Sequence, residues 1–182
     1  IQSAANSAVG QVLIQLAAQR GLRTVNVVRR AELVPELEAL GADVVLVDGD
    51  DLRARVEAAA GAGMKLAIDA VGGGTFARLL STLGAGGTIV PYGLMSGQLP
   101  PLDVGAAIFR DIRVQGFWLT RWFQTASPEA RAAAFGALVP AIASGALEMP
   151  VDSRFPFDRV HDAVRRAAEG GRAGKVLLVA DD

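Results

Sequence analysis

The apolar residues of the first ninety positions follow two patterns that alternate along the chain. Segments with apolar residues three and four positions apart, typical of helices with one buried face, are followed by short and nearly continuous apolar runs. Such runs are typical of parallel strands that are covered on both faces. The two patterns predict helices over residues 9–20, 32–40, 52–60 and 75–83, and strands over residues 24–28, 44–47, 65–69 and 88–92.

The pattern changes after residue 92. Before this point, Gly21 and Gly41 stand where the C-caps of the first two helices belong.

After residue 92, a loop rich in Gly and Pro precedes elements that are spaced less regularly. The loop covers residues 93–101, and the predicted elements are a short helix over 104–109, a strand over 112–117, a long helix over 128–143, a strand over 151–155, a helix over 157–169 and a strand over 175–179.

Strands that alternate with helices predict an α/β fold. We predict a Rossmann-type dinucleotide-binding domain, a doubly wound parallel sheet, over residues 1–144. Residues 145–182 are expected to return to a catalytic domain that is mostly absent from this sequence. Only Ile1, Gln2 and Ser3 precede the first turn, so the domain is expected to lack most of its first strand, which usually has about five residues.

Composition narrows the classes of partner. The net charge of -1 and a pI of about 5.9 leave no broad basic surface for nucleic acid, so we expect a small-molecule partner. The chain has no Cys, which excludes disulfides and thiolate metal sites, and we expect no metal site and a cytoplasmic location. The longest uncharged run, residues 79–102, contains five Gly and three Pro, so no membrane span is predicted.

The segment before the first helix has the residue types of a phosphate-binding turn. Such a turn needs small residues, because backbone N–H groups and the helix N-terminus must approach a pyrophosphate closely. Ala5, Ser7 and Gly10 occupy the glycine positions of the G-x-G-x-x-G fingerprint, so only the third glycine is retained. The alternative is that these small residues only allow close packing between helix and strand.

The end of the next strand separates the two interpretations. A carboxylate that would bind a ribose 2′-hydroxyl is expected about twenty residues after the turn, but Arg29 and Arg30 stand there. Arginine suits the 2′-phosphate of NADPH, whereas the alternative is a solvated strand end. Because the turn and the arginines occur together at the right spacing, we predict NADPH as the cofactor.

Four segments resemble one known family. They are Asn-Ser-Ala-Val-Gly at 6–10, Leu-Arg-Thr-Val-Asn-Val-Val-Arg at 22–29, Pro-Tyr-Gly-Leu-Met at 91–95 and Gly-Phe-Trp-Leu-Thr-Arg-Trp at 116–122. In this order they resemble the zinc-independent, mitochondrial-type trans-2-enoyl-CoA/acyl-carrier-protein reductases of the medium-chain dehydrogenase/reductase superfamily. The resemblance implies NADPH-dependent reduction of the 2,3-double bond of an acyl thioester in fatty-acid metabolism.

The resemblance also implies a cofactor site that is assembled from five segments. Asn6, Ser7, Ala8, Val9 and Gly10 would hold the pyrophosphate, Arg29, Arg30 and Ala31 would surround the 2′-phosphate, Tyr92, Gly93, Leu94 and Met95 would line the channel toward the nicotinamide, Phe117, Trp118 and Leu119 would close its far side, and Lys175 would reach the cofactor. Leu94 and Ala31 depart from the family, which commonly has Gly and Arg at these positions.

Several of these residues also have a purely structural interpretation. Tyr92 could be a core tyrosine, Trp118 and Trp122 could be packing aromatics, and Lys175 could be a surface charge. Tyr92 and Trp118 follow successive strands, and open α/β sheets bind ligands at the carboxyl ends of their strands. This position favours a functional role for these two residues.

No catalytic residue is assigned within this sequence. The resemblance implies that the proton-donating tyrosine lies in the absent N-terminal domain, and we do not give that role to Tyr92. His161, the sole histidine, falls on a predicted helix without a suitable partner and is interpreted as structural or solvated. The apolar strand at 112–117 is expected to form a sheet edge that pairs with its copy in a homodimer.

Other functions agree with the same residues. Within enzymes, the alternatives are an NADPH:quinone reductase and a relative of the zinc alcohol dehydrogenases whose metal ligands lie elsewhere. From a different class, the chain could be a non-catalytic module that binds NADPH as a sensor. A catalytic domain with a tyrosine and without a Cys/His zinc set would favour the enoyl reductase.

Overall fold

Strands joined by helices make up most of the computed structural model, which describes residues 1–169, 172 and 174–180. The strands are β1 (Val25–Val28), β2 (Val44–Val47), β3 (Met64–Asp69), β4 (Leu83–Pro91), β5 (Arg113–Val114), β6 (Val151–Pro156) and β7 (Lys175–Val179). The helices are α1 (Ala8–Gln19), α2 (Val34–Ala39), α3 (Leu52–Ala60), α4 (Gly73–Ser81), α5 (Val104–Arg110), α6 (Leu119–Thr125), α7 (Pro128–Ala143) and α8 (Val160–Ala168), and short 3₁₀ turns at Ala31–Leu33 and Phe157–Arg159 precede α2 and α8.

The first residues of the chain join two groups of parallel strands into one sheet. Gln2 makes parallel bridges to Asn26 in β1 and to Ile68 in β3. Its N–H donates to the carbonyl oxygen of Val25 at 3.0 Å, and the N–H of Ser3 donates to Ile68 at 3.0 Å. The strand order is therefore β2, β1, the Gln2 segment, β3, β4, β5, with all pairs parallel. This is the Rossmann order, so the predicted fold class is confirmed.

The sheet carries a buried layer on each face. Val27 belongs to a core cluster with residues of α3, α4 and α5, whereas Val28, the next residue, packs with Ile14 of α1 and Leu37 of α2. Successive side chains of a strand point to opposite faces, which explains this division. Helices on both faces make the sheet doubly wound and leave its carboxyl edge open for the site.

Local sequence signals fix several helix ends. Gly21, with φ of +64°, follows α1, and its N–H and that of Leu22 donate to the carbonyls of Ala18 and Ala17. Gly41, with φ of +96°, ends α2 with the same pattern. Both are Schellman caps, and the predicted C-cap positions are correct.

Three elements differ from the prediction. The strand predicted at 88–92 begins at Leu83, because Gly63 and Gly84 let two backbones approach so closely that a Cβ on Gly63 would lie 2.5 Å from the Cα of Gly84. The edge strand predicted at 112–117 is regular only over Arg113–Val114. Helix α6, which was not predicted, has only seven residues, and none of them is buried.

The C-terminal part forms a separate parallel pair, β6 and β7, with α8 against it. The guanidinium of Arg166 in α8 makes a bidentate ion pair with Asp152 of β6. The connection that precedes β6 is held to α1, because Gln15 donates to the carbonyl of Glu148 at 2.9 Å and accepts from its N–H at 2.8 Å. Leu147 is buried beside this connection.

Candidate functional site

The turn between the Gln2 segment and α1 leads into a capped helix start. Ser7 is the N-cap of α1, and its Oγ accepts a hydrogen bond from the N–H of Gly10 at 3.1 Å. Its own N–H donates to the carbonyl of Ala4 at 2.8 Å, and Ala4 has a left-handed φ of +47°. The first N–H groups of a helix lack partners within the helix and carry partial positive charge. The predicted residues Ala8 and Val9 belong to this first turn, which is suited to an anion.

Gly10 explains why one glycine of the fingerprint is retained. A Cβ at Gly10 would lie 2.5 to 2.7 Å from the backbone atoms of Ala5, which is fully buried. Helix α1 therefore packs on the turn backbone to backbone. Ser7 has an ordinary φ of -71°, so this position does not need the conformational freedom of glycine. The carbonyl of Asn6, beside Ser7, accepts from the side chain of Gln11 at 3.1 Å.

A buried amide pair supports the turn from below. The Nε2 of Gln2 donates to the carbonyl of Gly10 at 2.9 Å and to the Oδ1 of Asn26 at 2.8 Å. Asn26 in turn donates to the Oγ1 of Thr24 at 2.9 Å. Gln2 and Asn26 are both buried, and neither is among the predicted site residues. The available signal was Asn26 itself, a polar residue inside an otherwise apolar strand.

A second buried pair joins the turn to β3. The hydroxyl of Ser3 donates to the Oδ1 of Asp69 at 2.6 Å and accepts from the N–H of Ala70 at 3.0 Å. The carboxylate of Asp69, which is fully buried, also accepts from the N–H groups of Val71 and Gly72 at 3.1 and 2.8 Å. Buried charge is tolerated where hydrogen bonds satisfy it. The pair fixes the turn before α1 relative to the turn that follows β3.

Tyr92 lies beside the turn before α1. Its N–H donates to the carbonyl of Asp69 at 2.8 Å, and its half-buried side chain hydrogen-bonds to Ser7. Burial is the main cause that raises the pKa of Tyr92, the charge of Asp69 acts in the same direction, and the bond to Ser7 opposes them. The net pKa is above the usual value, so the hydroxyl stays protonated at neutral pH. Tyr92 is thus a neutral donor and acceptor between two loops.

The loop after Tyr92 packs on the turn after β3. A Cβ on Gly93 would lie 2.8 Å from the carbonyl oxygen of Ala70, and the N–H of Met95 donates to the same oxygen at 3.0 Å. Leu94, which replaces the second glycine of the resembling family, packs its side chain on Gly72. Leu94 and Met95 are both more than half exposed. Together with Pro91, Tyr92, Gly93 and Pro100, Leu94 lines an open cavity of ≈ 490 Å³.

Arg29, Arg30 and Ala31 are exposed at the carboxyl end of β1. The Nε of Arg30 lies 3.1 Å from the Oε1 of Glu32, and both side chains are more than half exposed, so this ion pair is weak. Among the residues that the structure describes, Arg29 makes no ion pair. Both guanidinium groups can therefore turn toward an anion at this edge of the sheet.

Phe117, Trp118 and Leu119, which are predicted to close the far side of the cofactor channel, begin next to β4 and Tyr92. The N–H of Phe117 donates to the carbonyl of Pro91 at 2.9 Å, which extends the β4 edge beyond the regular part of β5. Trp118 is the N-cap of α6 and Leu119 its first residue, and both side chains are more than half exposed. Trp122 stacks edge to face on Phe123 at 5.2 Å, which supports the packing interpretation for this residue.

Lys175 stands apart from the other predicted residues. It lies in β7, where its N–H donates to the carbonyl of Pro150 at 2.8 Å and its side chain is exposed. Within the described part of the chain, its side chain makes no hydrogen bond or ion pair with the turn, the arginines or the Tyr92 loop. Its predicted contact with the cofactor stays a prediction.

The described residues lack the donors for a metal site. No group of three or more His, Asp or Glu side chains in the described ranges could hold a metal ion. His161 is exposed on α8. Nor does any helix within those ranges have the length and apolar character needed to cross a bilayer.

Proteins with related sequences carry one recurrent name. The chain is 36% identical to the mitochondrial enoyl-[acyl-carrier-protein] reductase of Homo sapiens over 185 residues, which covers 98% of this chain and 49% of that protein. It is 44% identical to the protein of the same name from Caenorhabditis elegans over 135 residues, or 71% of this chain and 38% of that protein. The chain thus spans about half the length of the first relative and less of the second.

Solved structures share the fold over nearly the whole chain. A putative NADPH:quinone reductase from Bacillus thuringiensis superposes with a TM-score of 0.85 at 27% identity, covering 99% of this chain and 55% of that one. A mutant form of the enoyl thioester reductase from Candida tropicalis superposes with a TM-score of 0.82. Its identity of 23% supports the fold alone; it covers 98% of this chain and 52% of that one.

A family model described as zinc-binding dehydrogenase matches residues 8–139. The zinc of this description does not fit the described residues, which have no suitable ligand cluster, and the sequence has no Cys. The turn, the strand order and the glycine contacts are those of the nucleotide-binding half of such enzymes. The chain belongs to the zinc-binding dehydrogenase family, within the medium-chain dehydrogenase/reductase superfamily.

Proposed function

We propose that this chain is the cofactor-binding half of an NADPH-dependent reductase that acts on the 2,3-double bond of trans-2-enoyl thioesters in fatty-acid metabolism. One observation supports NADPH as the cofactor. The Ser7-capped start of α1 follows the Gln2 segment, the exposed pair Arg29 and Arg30 follows the neighbouring strand β1, and both lie at the same edge of the sheet. The substrate class is supported by the name shared by the relatives that are 36% and 44% identical.

The residues of the turn provide the donors that a pyrophosphate needs. The first N–H groups of α1 lack partners within the helix, and the hydroxyl of Ser7 accepts from Gly10 and hydrogen-bonds to Tyr92, so the pyrophosphate would be bound mainly by backbone N–H groups. The exposed guanidinium groups of Arg29 and Arg30 suit a 2′-phosphate, which accepts bidentate hydrogen bonds. These groups bind and orient the cofactor.

When bound, the cofactor supplies the hydride that reduces the β-carbon of an enoyl thioester. The apolar residues Pro91, Leu94 and Pro100 line the adjoining cavity and would limit the water beside a bound cofactor. Tyr92 stays protonated and anchors its loop to Ser7. We propose that the proton donor lies in the part of the relatives that this chain does not span, and that residues 145–182 pack against that part.

The cofactor choice is tested by replacing both arginines. The Arg29→Ala/Arg30→Ala variant should bind NADPH more weakly by about 1 to 3 kcal/mol, the scale of charge-assisted hydrogen bonds, and NADH almost unchanged. Isothermal titration calorimetry measures both constants. Arg20→Ala/Arg23→Ala, which removes the same charge near the opposite end of β1, is the matched control and should leave both unchanged. Equal losses for NADPH and NADH would contradict the proposal.

A quinone reductase is the second candidate, because the structure from Bacillus thuringiensis with a TM-score of 0.85 is named for that activity. The two activities are separated by assaying the protein that contains this chain with NADPH and either a short trans-2-enoyl thioester or a quinone. Faster turnover of the thioester supports the first candidate. The 182 residues alone should bind NADPH but not reduce the thioester.

We also propose that the edge at β5 pairs with its copy in a homodimer. Val114 and Phe117 are exposed along this edge, where unpaired backbone groups invite another strand. Light scattering at micromolar concentration should give the mass of a dimer. The relatives carry the word mitochondrial in their names, so the cytoplasmic location stays a prediction.

A further inference from the structure

An acidic residue stands directly beside the predicted 2′-phosphate site. Val28 and Val47 are paired across β1 and β2, and the N–H of the next residue, Asp48, donates to the carbonyl of Val28 at 2.7 Å. Arg29 follows Val28, so Arg29 and Asp48 are neighbours at the carboxyl edge, on strands about 4.8 Å apart. Asp48 contacts α4, on the face where Val27 packs, and Arg29 stands two positions after Val27, just beyond the end of β1.

An unneutralised carboxylate at this position would oppose NADPH in two ways. It would repel the doubly charged 2′-phosphate, and it would attract the guanidinium of Arg29 away from the ligand. NADH has no 2′-phosphate, so neither effect would weaken its binding. The loop that follows adds two further acidic residues, Asp50 and Asp51. The edge therefore needs a compensating cation if Arg29 is to remain available.

Arg78 of α4 provides that cation. Its Nε and Nη2 each lie 2.7 Å from an oxygen of Asp48, and Thr75 donates to the same carboxylate at 2.6 Å. Burial alone would raise the pKa of Asp48, but the hydrogen bonds from Arg78 and Thr75 and the guanidinium charge outweigh it and lower the pKa. Arg78 also lies 3.7 Å from Asp50, and Arg55 pairs with Asp51 at 2.8 Å. Arg78 thus serves both Asp48 and, more distantly, Asp50, while Arg55 serves Asp51.

We propose that Arg78 determines the preference for NADPH over NADH without contacting the cofactor. By holding Asp48 in a bidentate ion pair, it leaves Arg29 free for a 2′-phosphate. The inference rests on the proposed function, since it assumes that NADPH is the ligand. Arg78 acts through Asp48 and Arg29, and so it is a positioning residue. Arg78 is not among the predicted site residues, because its partner Asp48 lies 30 residues away in the chain.

The test compares NADPH and NADH binding by calorimetry in the chain and in variants. Arg78→Gln should lower the ratio of NADPH to NADH affinity by about five- to tenfold, the scale of one screened charge acting on a dianion. The double variant Asp48→Asn/Arg78→Gln should restore the ratio, because the carboxylate is then gone as well. Arg20→Gln, which removes one positive charge at the far end of α1, should leave the ratio unchanged.

The outcomes separate this inference from the proposed function. If the unaltered chain shows no preference for NADPH, the proposed function fails and the inference fails with it. If the chain prefers NADPH and Arg78→Gln keeps the same ratio, only the inference is wrong. Should Arg78→Gln not fold, as judged by circular dichroism, the Asp48→Asn variant decides: a retained or higher ratio supports the inference, and a lower ratio contradicts it.

Discussion

Residues 1–112 and residues 113–180 differ in how much apolar surface they bury. Nearly all buried apolar side chains of the described chain lie in the first region, and beyond Ile112 only Leu147 and Ala163 join them. Helix α4, with nine residues, buries Gly73, Phe76, Leu79 and Leu80. Helix α7, with sixteen residues, has none buried. The first region holds its own core, whereas the second exposes Phe135, Val139 and Ile142 along α7.

The same contrast divides the candidate site. Its proposed phosphate end, the turn before α1, is built from backbone contacts and buried polar pairs of the first region. Its other end consists of Leu94, Met95, Phe117 and Trp118, whose side chains are largely exposed. We infer that the phosphate end is preorganised, and that the apolar end acquires its final shape only when further protein packs against it.

The largest expected effect is on the free energy of unfolding, and it appears when one phenylalanine from each region is replaced by alanine. Phe76→Ala should lower the free energy of unfolding by about 3 to 5 kcal/mol, because Phe76 is 1% exposed and its removal leaves a cavity. Phe135→Ala should cost less than about 1.5 kcal/mol, since Phe135 is 50% exposed and mainly loses its contact with Phe123. Urea denaturation measures both. Similar losses would show that the second region has a core of its own.

A smaller effect is expected from adding a methyl group to one glycine of each region. Gly10→Ala should destabilise the chain by about 1 to 3 kcal/mol and weaken NADPH binding, because its Cβ would collide with the backbone of Ala5. Gly136→Ala, in α7, meets no atom within 4 Å and should stabilise the chain by up to about 1 kcal/mol. Thermal unfolding measures the change in stability of both variants, and titration calorimetry measures NADPH binding. A Gly10→Ala variant that binds NADPH normally would mean that the turn tolerates movement.

The smallest effect is a shift in the titration of Tyr92, the single tyrosine of the chain. Burial raises its pKa in the folded state, so tyrosinate absorbance should develop above the usual midpoint near 10. The neutral form is favoured on folding. This stability is therefore complete below pH about 10 and is lost as the pH rises through the folded pKa.

The Ser7→Ala variant tests this titration further. The hydrogen bond from Ser7 lowers the pKa of Tyr92, so its loss should move the midpoint to a still higher pH. The chain unfolded in urea is the control and should titrate near 10. A folded chain with the same midpoint as the unfolded one would contradict the burial of Tyr92 beside the turn.

Much of the first region could be predicted because its signals are local. The strand Val44–Val47 and the helix Leu52–Ala60 have the predicted bounds, and Ser7 and Gly10 occupy the predicted turn; in the second region, the long helix Pro128–Ala143 also has its predicted bounds. Helix α6 and the shortness of β5 could not be predicted in the same way. Trp118 provides no side-chain cap for α6, and α6 buries no residue that periodicity would reveal.

The sequence by itself determined the fold class, most of the elements and the position of the turn before α1, because periodicity, caps and glycine positions act between residues close in the chain. Only the tertiary structure decided which distant polar residues meet. Ser3 reaches Asp69 across 66 positions and Arg78 reaches Asp48 across 30. These pairings depend on the strand order of the sheet and on the face of the sheet to which each side chain points. The spacing of the paired residues along the chain predicts neither of these properties.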